Sequence, residues 1–173
     1  MKYLYYNSSS IDWCEDNFTY SPYIAEFYNS FSNIFYIIIY YSGLHSVRNI
    51  YCKDYDKKLF SMLLFTGICS FYFHATLSLL GQIMDELCIL FVLSQSLLLL
   101  YKRDQTICYI IYYLTAILSV IMFLYPKINI PILFCYGMFM KKELEEKMVI
   151  CKKEKFFLWK NTKILFFLSL LCW

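Results

Sequence analysis

Apolar runs about as long as a bilayer is thick recur along this chain, at about residues 31–47, 59–80, 85–101 and 106–125. A hydrocarbon core ~30 Å thick needs about 20 helical residues to cross it. Inside lipid the backbone must satisfy its own hydrogen bonds, which leaves helices or closed barrels. Runs this long, without period-two alternation, are helical. With 60% hydrophobic and 21% aromatic residues in 173, neither disorder nor an ordinary soluble domain fits. The expected fold is all-α, a polytopic membrane helix bundle with five to six helices in this chain. It reads as a single membrane domain over 1–173, with a polar head at 1–30 and helices and loops at 31–173. A fifth helix near 128–140 is weak, being short and holding Pro131. Residues 141–163 are highly charged, and their i,i+4 Glu/Lys spacing predicts an exposed helical extension. The last apolar run, 164–173, is only about half a span, so the chain is expected to be C-terminally truncated.

Basic loop residues predict orientation. With the N-terminus outside, the loops 48–58, 102–105 and 141–163 fall inside, and they hold all of the 16 Lys and Arg except Lys2 and Lys127. The head, the 81–84 turn and the outer half of the second helix then share one side of the membrane. The net charge of +3 resides in loops and gives no case for nucleic acid. The eight cysteines include no CxxC pair, and Cys69, Cys88, Cys108 and Cys135 lie in apolar runs as small packing residues. The first ten residues lack the apolar core of a cleavable signal.

Gly67 to Glu86, GICSFYFHATLSLLGQIMDE, is apolar enough for a membrane helix yet carries Ser70, His74 and Asp85. Ionisable groups at membrane depth cost about 3 kcal/mol each on insertion scales, so they are candidates for function. Ser70 and His74 are four apart and share a helix face, which Gly67 and Ser78 extend. Such a small, polar stripe suits close helix packing or a polar cavity. On one unbroken helix Asp85 would lie roughly 16 Å beyond His74. A break at Gly81–Gln82 would put Asp85 at the head of the next helix, folded back toward His74. Two plainer roles stay open: Asp85 as a charge favoured at a helix N-terminus, and His74 as a buried histidine bonded to a neighbouring helix.

The head is acidic, with Asp12, Glu15, Asp16 and Glu26 against Lys2. Asp12, Glu15, Asn17 and Glu26 offer oxygen ligands of the kind a hard cation such as calcium takes, though not at EF-hand spacing. A solvated acidic loop, with Ser21–Pro22 starting a helix, is the alternative.

DWCEDN followed by SPYIAEFYNSFSN, then SFYFHATLS and MDEL, resembles the alkaline ceramidases, seven-helix membrane hydrolases related to adiponectin receptors. The resemblance is specific over about 11–90 and covers the rest only by hydrophobic layout. It implies a zinc enzyme of the endoplasmic reticulum or Golgi membrane, with its N-terminus lumenal. Such an enzyme hydrolyses ceramide to sphingosine and a fatty acid, with ceramide, related sphingolipids and membrane lipid as its partners. By resemblance His74 is a zinc ligand, Ser70 contacts the metal-bound water or the oxyanion, and Asp85 is the general acid or base. The head then resembles a calcium site of Asp12, the Trp13 carbonyl, Glu15, Asn17 and Glu26.

This chain departs from the family where the family supplies two more zinc ligands, an HxxxH pair on its last helix. It has only two histidines, and His45, on the opposite side from His74, reads as structural or interfacial. Cys172–Trp173 resembles the start of the family's sixth helix, so Cys14 is expected to lack the disulfide partner that the family places beyond it. The expectation is a ceramidase gene whose 173-residue product does not bind zinc tightly or turn over. A non-catalytic receptor or scaffold of the same superfamily is the main alternative. A proton-coupled transporter is a weaker one, since no inverted repeat is present.

Overall fold

The computed structural model describes residues 7–12, 15–49, 54–101 and 103–150. Trp13, Cys14 and the apolar run at 164–173 lie outside them. The described residues form helices α1 (Phe27–Ser32), α2 (Ile34–Asn49), α3 (Asp54–Thr76), α4 (Leu79–Tyr101), α5 (Gln105–Leu124) and α6 (Asn129–Ile150). A 3-10 turn at Pro126–Ile128 leads into α6. The chain divides into two compact units, 1–137 and 138–173.

Three stretches are long and apolar enough to cross a membrane: Lys57–Thr76, Leu79–Tyr101 and Gln105–Leu124. The middle one is the most enclosed, with Ile83, Leu90 and Leu97 fully buried. α5 instead turns Tyr109, Ile110, Tyr113, Ile117 and Val120 outward, as a helix bathed in lipid does. The second unit contains the helical end of α6, where the expected i,i+4 pairing appears as an exposed Lys142–Glu146 ion pair of 3.8 Å. At that exposure it contributes little.

Glycine sets the closest approach between α2 and α3. A Cβ on Gly67 would lie 2.5 Å from Tyr36 Cβ, and one on Gly43 would overlap the Phe60 ring. These two contacts also fix α2 antiparallel to α3, since the earlier glycine partner on α3 meets the later residue on α2. Gly67→Ala is expected to push the two helices apart and cost about 1–3 kcal/mol, the usual range for overpacking. Detergent-state thermal melting would register it, and an unchanged midpoint would refute the close approach.

The reversal between α3 and α4 comes earlier than glycine content predicts. It falls at Leu77, whose φ of 45° is left-handed. Leu77 N donates to Phe73 O at 2.7 Å, closing α3 in the manner of an αL cap. Ser78 Oγ then accepts from Gly81 N at 3.1 Å and opens α4. Ser78 therefore caps α4 and does not continue the polar stripe of α3. Gly81 is inside α4, where its missing side chain lets Phe73 Cα approach; a Cβ there would sit 2.9 Å away. Asp85 accordingly lies in the second turn of α4 and not at its head, which also removes the helix N-terminus as the reason for its charge.

The polar head closes over this reversal. Ser9 N donates to Leu77 O at 2.8 Å, and Leu79 N donates to Asn7 O at 2.7 Å. Ala25 N and Glu26 N donate to Ala75 O and His74 O, each at 3.0 Å. Both segments are thus bonded through main-chain atoms to the end of α3, with Ala25, Phe73 and Leu77 forming a small apolar cluster beneath. This is why α1 begins at Phe27, after the chain has been captured, and not at Ser21–Pro22.

Candidate active site

Ser70 and His74 lie one turn apart near the end of α3. Ser70 stands seven residues before Leu77, and Asp85 stands seven after Ser78. Antiparallel helices with equal counts on either side of their pivot bring those two positions level. The Ser70 hydroxyl and the His74 ring both lie close enough to the Asp85 carboxyl group to act on it electrostatically. A pivot at Gly81–Gln82 would have set Asp85 opposite residue 78, beyond reach of Ser70. The sequence expectation that the three side chains converge therefore depends on the earlier turn.

Asp85 is 6% exposed and its Oδ1 is buried without a hydrogen-bond partner. An orphaned carboxylate oxygen inside a membrane span is costly unless something else approaches it.

His74 Nδ1 contacts Glu26 Oε2, and Glu26 is fully buried. The same carboxylate oxygen accepts from Asn29 Nδ2 at 3.2 Å. An Nδ1–H donating to a carboxylate leaves the imidazole lone pair on Nε2, the atom a metal takes. Histidine ligands are commonly oriented by such an acceptor. Sequence reasoning grouped Glu26 with the head's oxygen ligands and gave it no link to His74. No spacing rule relates residues 48 apart; the main-chain bonds of Ala25 and Glu26 to the end of α3 create the contact.

The other head residues fall into separate pairings. Asn17 Nδ2 donates to Asp12 Oδ1 at 3.1 Å and Oδ2 at 3.3 Å. Glu15 accepts from Tyr28 N at 2.7 Å and Asn29 N at 2.9 Å, so its carboxylate caps the start of α1. Trp13 lies outside the described residues. Among the described residues no three His, Cys, Asp or Glu side chains gather closely enough to close around a metal. The structure brings Ser70, His74 and Asp85 together, and Asp12 with Asn17; it does not draw Asp12, Glu15 and Glu26 into one cluster.

His45 is remote from this site. It follows Gly43, which packs on Phe60 of α3, and Phe60 is fourteen residues before His74. That is roughly 21 Å along a helix. His45 is exposed, in keeping with the interfacial role expected for it.

Beside Asp85 on α4 lies a polar group that sequence reading passed over. Gln82 and Glu86 are buried one turn apart on α4, and Asn129 at the start of α6 is buried against them. The available signal was two polar residues at i,i+4 within an apolar run. A second set ties α4 to α5 and α6: Thr115 Oγ1 donates to Ser94 Oγ at 2.8 Å, and Ser94 Oγ lies 3.1 Å from Tyr136 OH.

The ceramidase family model matches residues 5–173. Alkaline ceramidase 1 of Homo sapiens is 33% identical over 141 residues, which cover 72% of this chain and 52% of that protein. Alkaline ceramidase 1 of Mus musculus is 42% identical over 94 residues, 51% of this chain and 33% of its own length. The alkaline ceramidase of Drosophila melanogaster is 41% identical over 103 residues, covering 56% and 35%. The chain spans between a third and about half of the length of these relatives. The match runs across nearly the whole chain, including both the head and the α3–α4 pair that carries the convergent side chains, and the chain belongs to the ceramidase family.

Proposed function

We propose that this chain carries part of the active site of a membrane ceramidase that hydrolyses the amide of ceramide to sphingosine and a fatty acid. The observation that carries the reading is the convergence of Ser70, His74 and the orphaned Asp85 Oδ1 inside the α3–α4 pair. Family membership supports the choice of an amide substrate.

The residues supply part of a zinc donor set. His74, with Glu26 behind Nδ1, fits one ligand position. The remaining donors of a tetrahedral site would come from outside the described residues. A zinc ion bound there would acidify water and polarise the amide carbonyl. Asp85 Oδ1 is placed to take a proton from the attacking water and return it to the leaving nitrogen. The amide C–N bond breaks, water supplies the new C–O bond, and the amine leaves protonated. Ser70, beside Asp85, donates to the oxygen that gains charge. The exposed aromatic and aliphatic faces of α2 and α5 give the two chains of such a lipid an apolar surround.

Calcium is a second proposed metal, at the Asp12, Trp13, Glu15, Asn17 and Glu26 site that the resemblance implies, for which Glu15 would have to leave its cap on α1 and Glu26 its contact with His74. The Asp12–Asn17 pair supports it: turning the Asn17 amide over would aim its oxygen, beside both Asp12 oxygens, at a shared cation. The head is proposed to be lumenal, in the endoplasmic reticulum or Golgi, which agrees with the distribution of Lys and Arg.

Metal removal tests the reading. Membranes containing a form of the protein that completes the zinc donor set should release sphingosine from ceramide, lose that activity to a zinc-selective chelator, and recover it with zinc alone. Removing calcium with zinc retained should lower the melting temperature, and Asp12→Ala should remove the calcium response. Release that survives zinc chelation would overturn the zinc assignment. A melting temperature indifferent to calcium would overturn the head assignment.

A further inference from the structure

We infer that Glu86 is a positioning residue: its carboxylate is the common acceptor that ties the head segment and the start of α6 to the turn of α4 bearing Asp85. Both of its oxygens are engaged. Oε1 accepts from Gln82 Nε2 at 2.9 Å, and Oε2 accepts from Asn129 Nδ2 at 2.6 Å. Gln82 passes the connection outward, for its Oε1 accepts from Ser10 N at 2.8 Å and Ser10 Oγ at 2.9 Å. The chain of bonds thus runs from Ser10 through Gln82 and Glu86 to Asn129, joining residues 72 and 43 apart in sequence.

The polarity of this chain is fixed at one end. A main-chain N–H can only donate, so Ser10 N holds the Gln82 amide with its oxygen outward and its nitrogen toward Glu86. Gln82 and Asn129 are fully buried and Glu86 is 4% exposed, so water is not at hand to replace a lost acceptor. Consecutive helical residues project about 100° apart, so fixing Glu86 between partners on two sides also fixes the direction of Asp85. Nothing in the proposed chemistry calls on Glu86 itself, which makes a second buried carboxylate beside Asp85 otherwise hard to account for.

The role requires an acceptor and not a charge, and two substitutions separate these. Glu86→Leu leaves Gln82 Nε2 and Asn129 Nδ2 buried without partners. Glu86→Gln keeps an acceptor for Gln82, and its new amide nitrogen can donate to Asn129 Oδ1 once the Asn129 amide turns over. That oxygen has no hydrogen-bond partner at present, so the turn keeps the number of bonds, with Nδ2 taking the unpaired place of Oδ1. Hydrogen exchange reads the outcome at the amides of Ser9, Ser10 and Leu79, which are bonded across the head junction. Glu86→Leu should speed exchange there by about tenfold or more, while the amides of mid-α5 stay protected. Glu86→Gln should stay within about threefold of the parent.

Should Glu86→Leu fail to fold, the partners can be removed singly. Gln82→Leu should loosen the head segment and spare α6, whereas Asn129→Leu should do the reverse. Under the hydrolase reading, on which this last arm alone rests, Glu86→Leu should lower kcat by about tenfold with KM nearly unchanged, and Glu86→Gln should retain most of the rate. The inference is overturned if Glu86→Leu leaves the junction amides protected, or if both Glu86 variants open it alike. It is overturned too if Gln82→Leu and Asn129→Leu loosen the same amides. If the parent protein hydrolyses no ceramide, the hydrolase reading fails while the exchange results still decide the role of Glu86.

Discussion

Under the proposed zinc chemistry, replacing His74 with alanine is expected to abolish ceramide hydrolysis, by at least about 10⁴-fold, because it would remove a ligand of the ion that acidifies the water. Among the described residues no third His, Cys, Asp or Glu completes a cluster with it. The substitution also takes from the fully buried Glu26 the ring that it contacts. A carboxylate left in that state is strongly destabilising. His74→Gln is the sharper variant, since an amide retains a hydrogen bond toward Glu26 without the imidazole lone pair. Loss of turnover in His74→Gln with a near-parental melting temperature would assign the effect to chemistry. His45→Ala, at the far end of α2, should leave the rate within about twofold, as exposed positions away from a site usually do. Equal loss at the two histidines would defeat the assignment.

The helices were legible because a bilayer imposes their length. Each of α3, α4 and α5 coincides with an apolar run near 20 residues, and that requirement is independent of partners. Ser70, His74 and Asp85 stood out for a different reason: polar and ionisable side chains are costly in an apolar run. What could not be read was the pivot. Glycine at 81 looks like a breaker, yet Gly81 serves close packing against Phe73. The chain reverses instead at Leu77, a residue ill suited to a positive φ, because Asn7 and Ser9 bond across Leu77 and Leu79 from the head. That strain is offset by contacts formed between distant segments, which local propensity does not encode. Glu26 shows the same limit. As an acidic residue in an acidic head it reads as a surface ligand, yet it is the most buried carboxylate described.

Asp85→Asn is the second large effect expected, and it isolates proton transfer from packing. The side chains are nearly isosteric, and the carboxyl group reached by Ser70 becomes a carboxamide of the same shape. An amide oxygen cannot hold the proton that the attacking water gives up, so kcat should fall by about 10²–10⁴-fold, the usual contribution of a positioned general base. Because Oδ1 is buried without a partner, the neutral amide relieves a desolvated charge, and the variant should melt at or above the parental temperature. Activity lost with stability unchanged or raised is the signature of a group kept strained for function. The opposite pattern, a lower melting temperature with turnover kept within about tenfold, would make Asp85 a packing residue and leave the reaction without its base. The Ser70→Ala variant discriminates further. If Ser70 only steadied the carboxylate, adding Ser70→Ala to Asp85→Asn would change nothing more. If Ser70 donates to the developing oxyanion, the double variant should lose roughly a further 10²-fold.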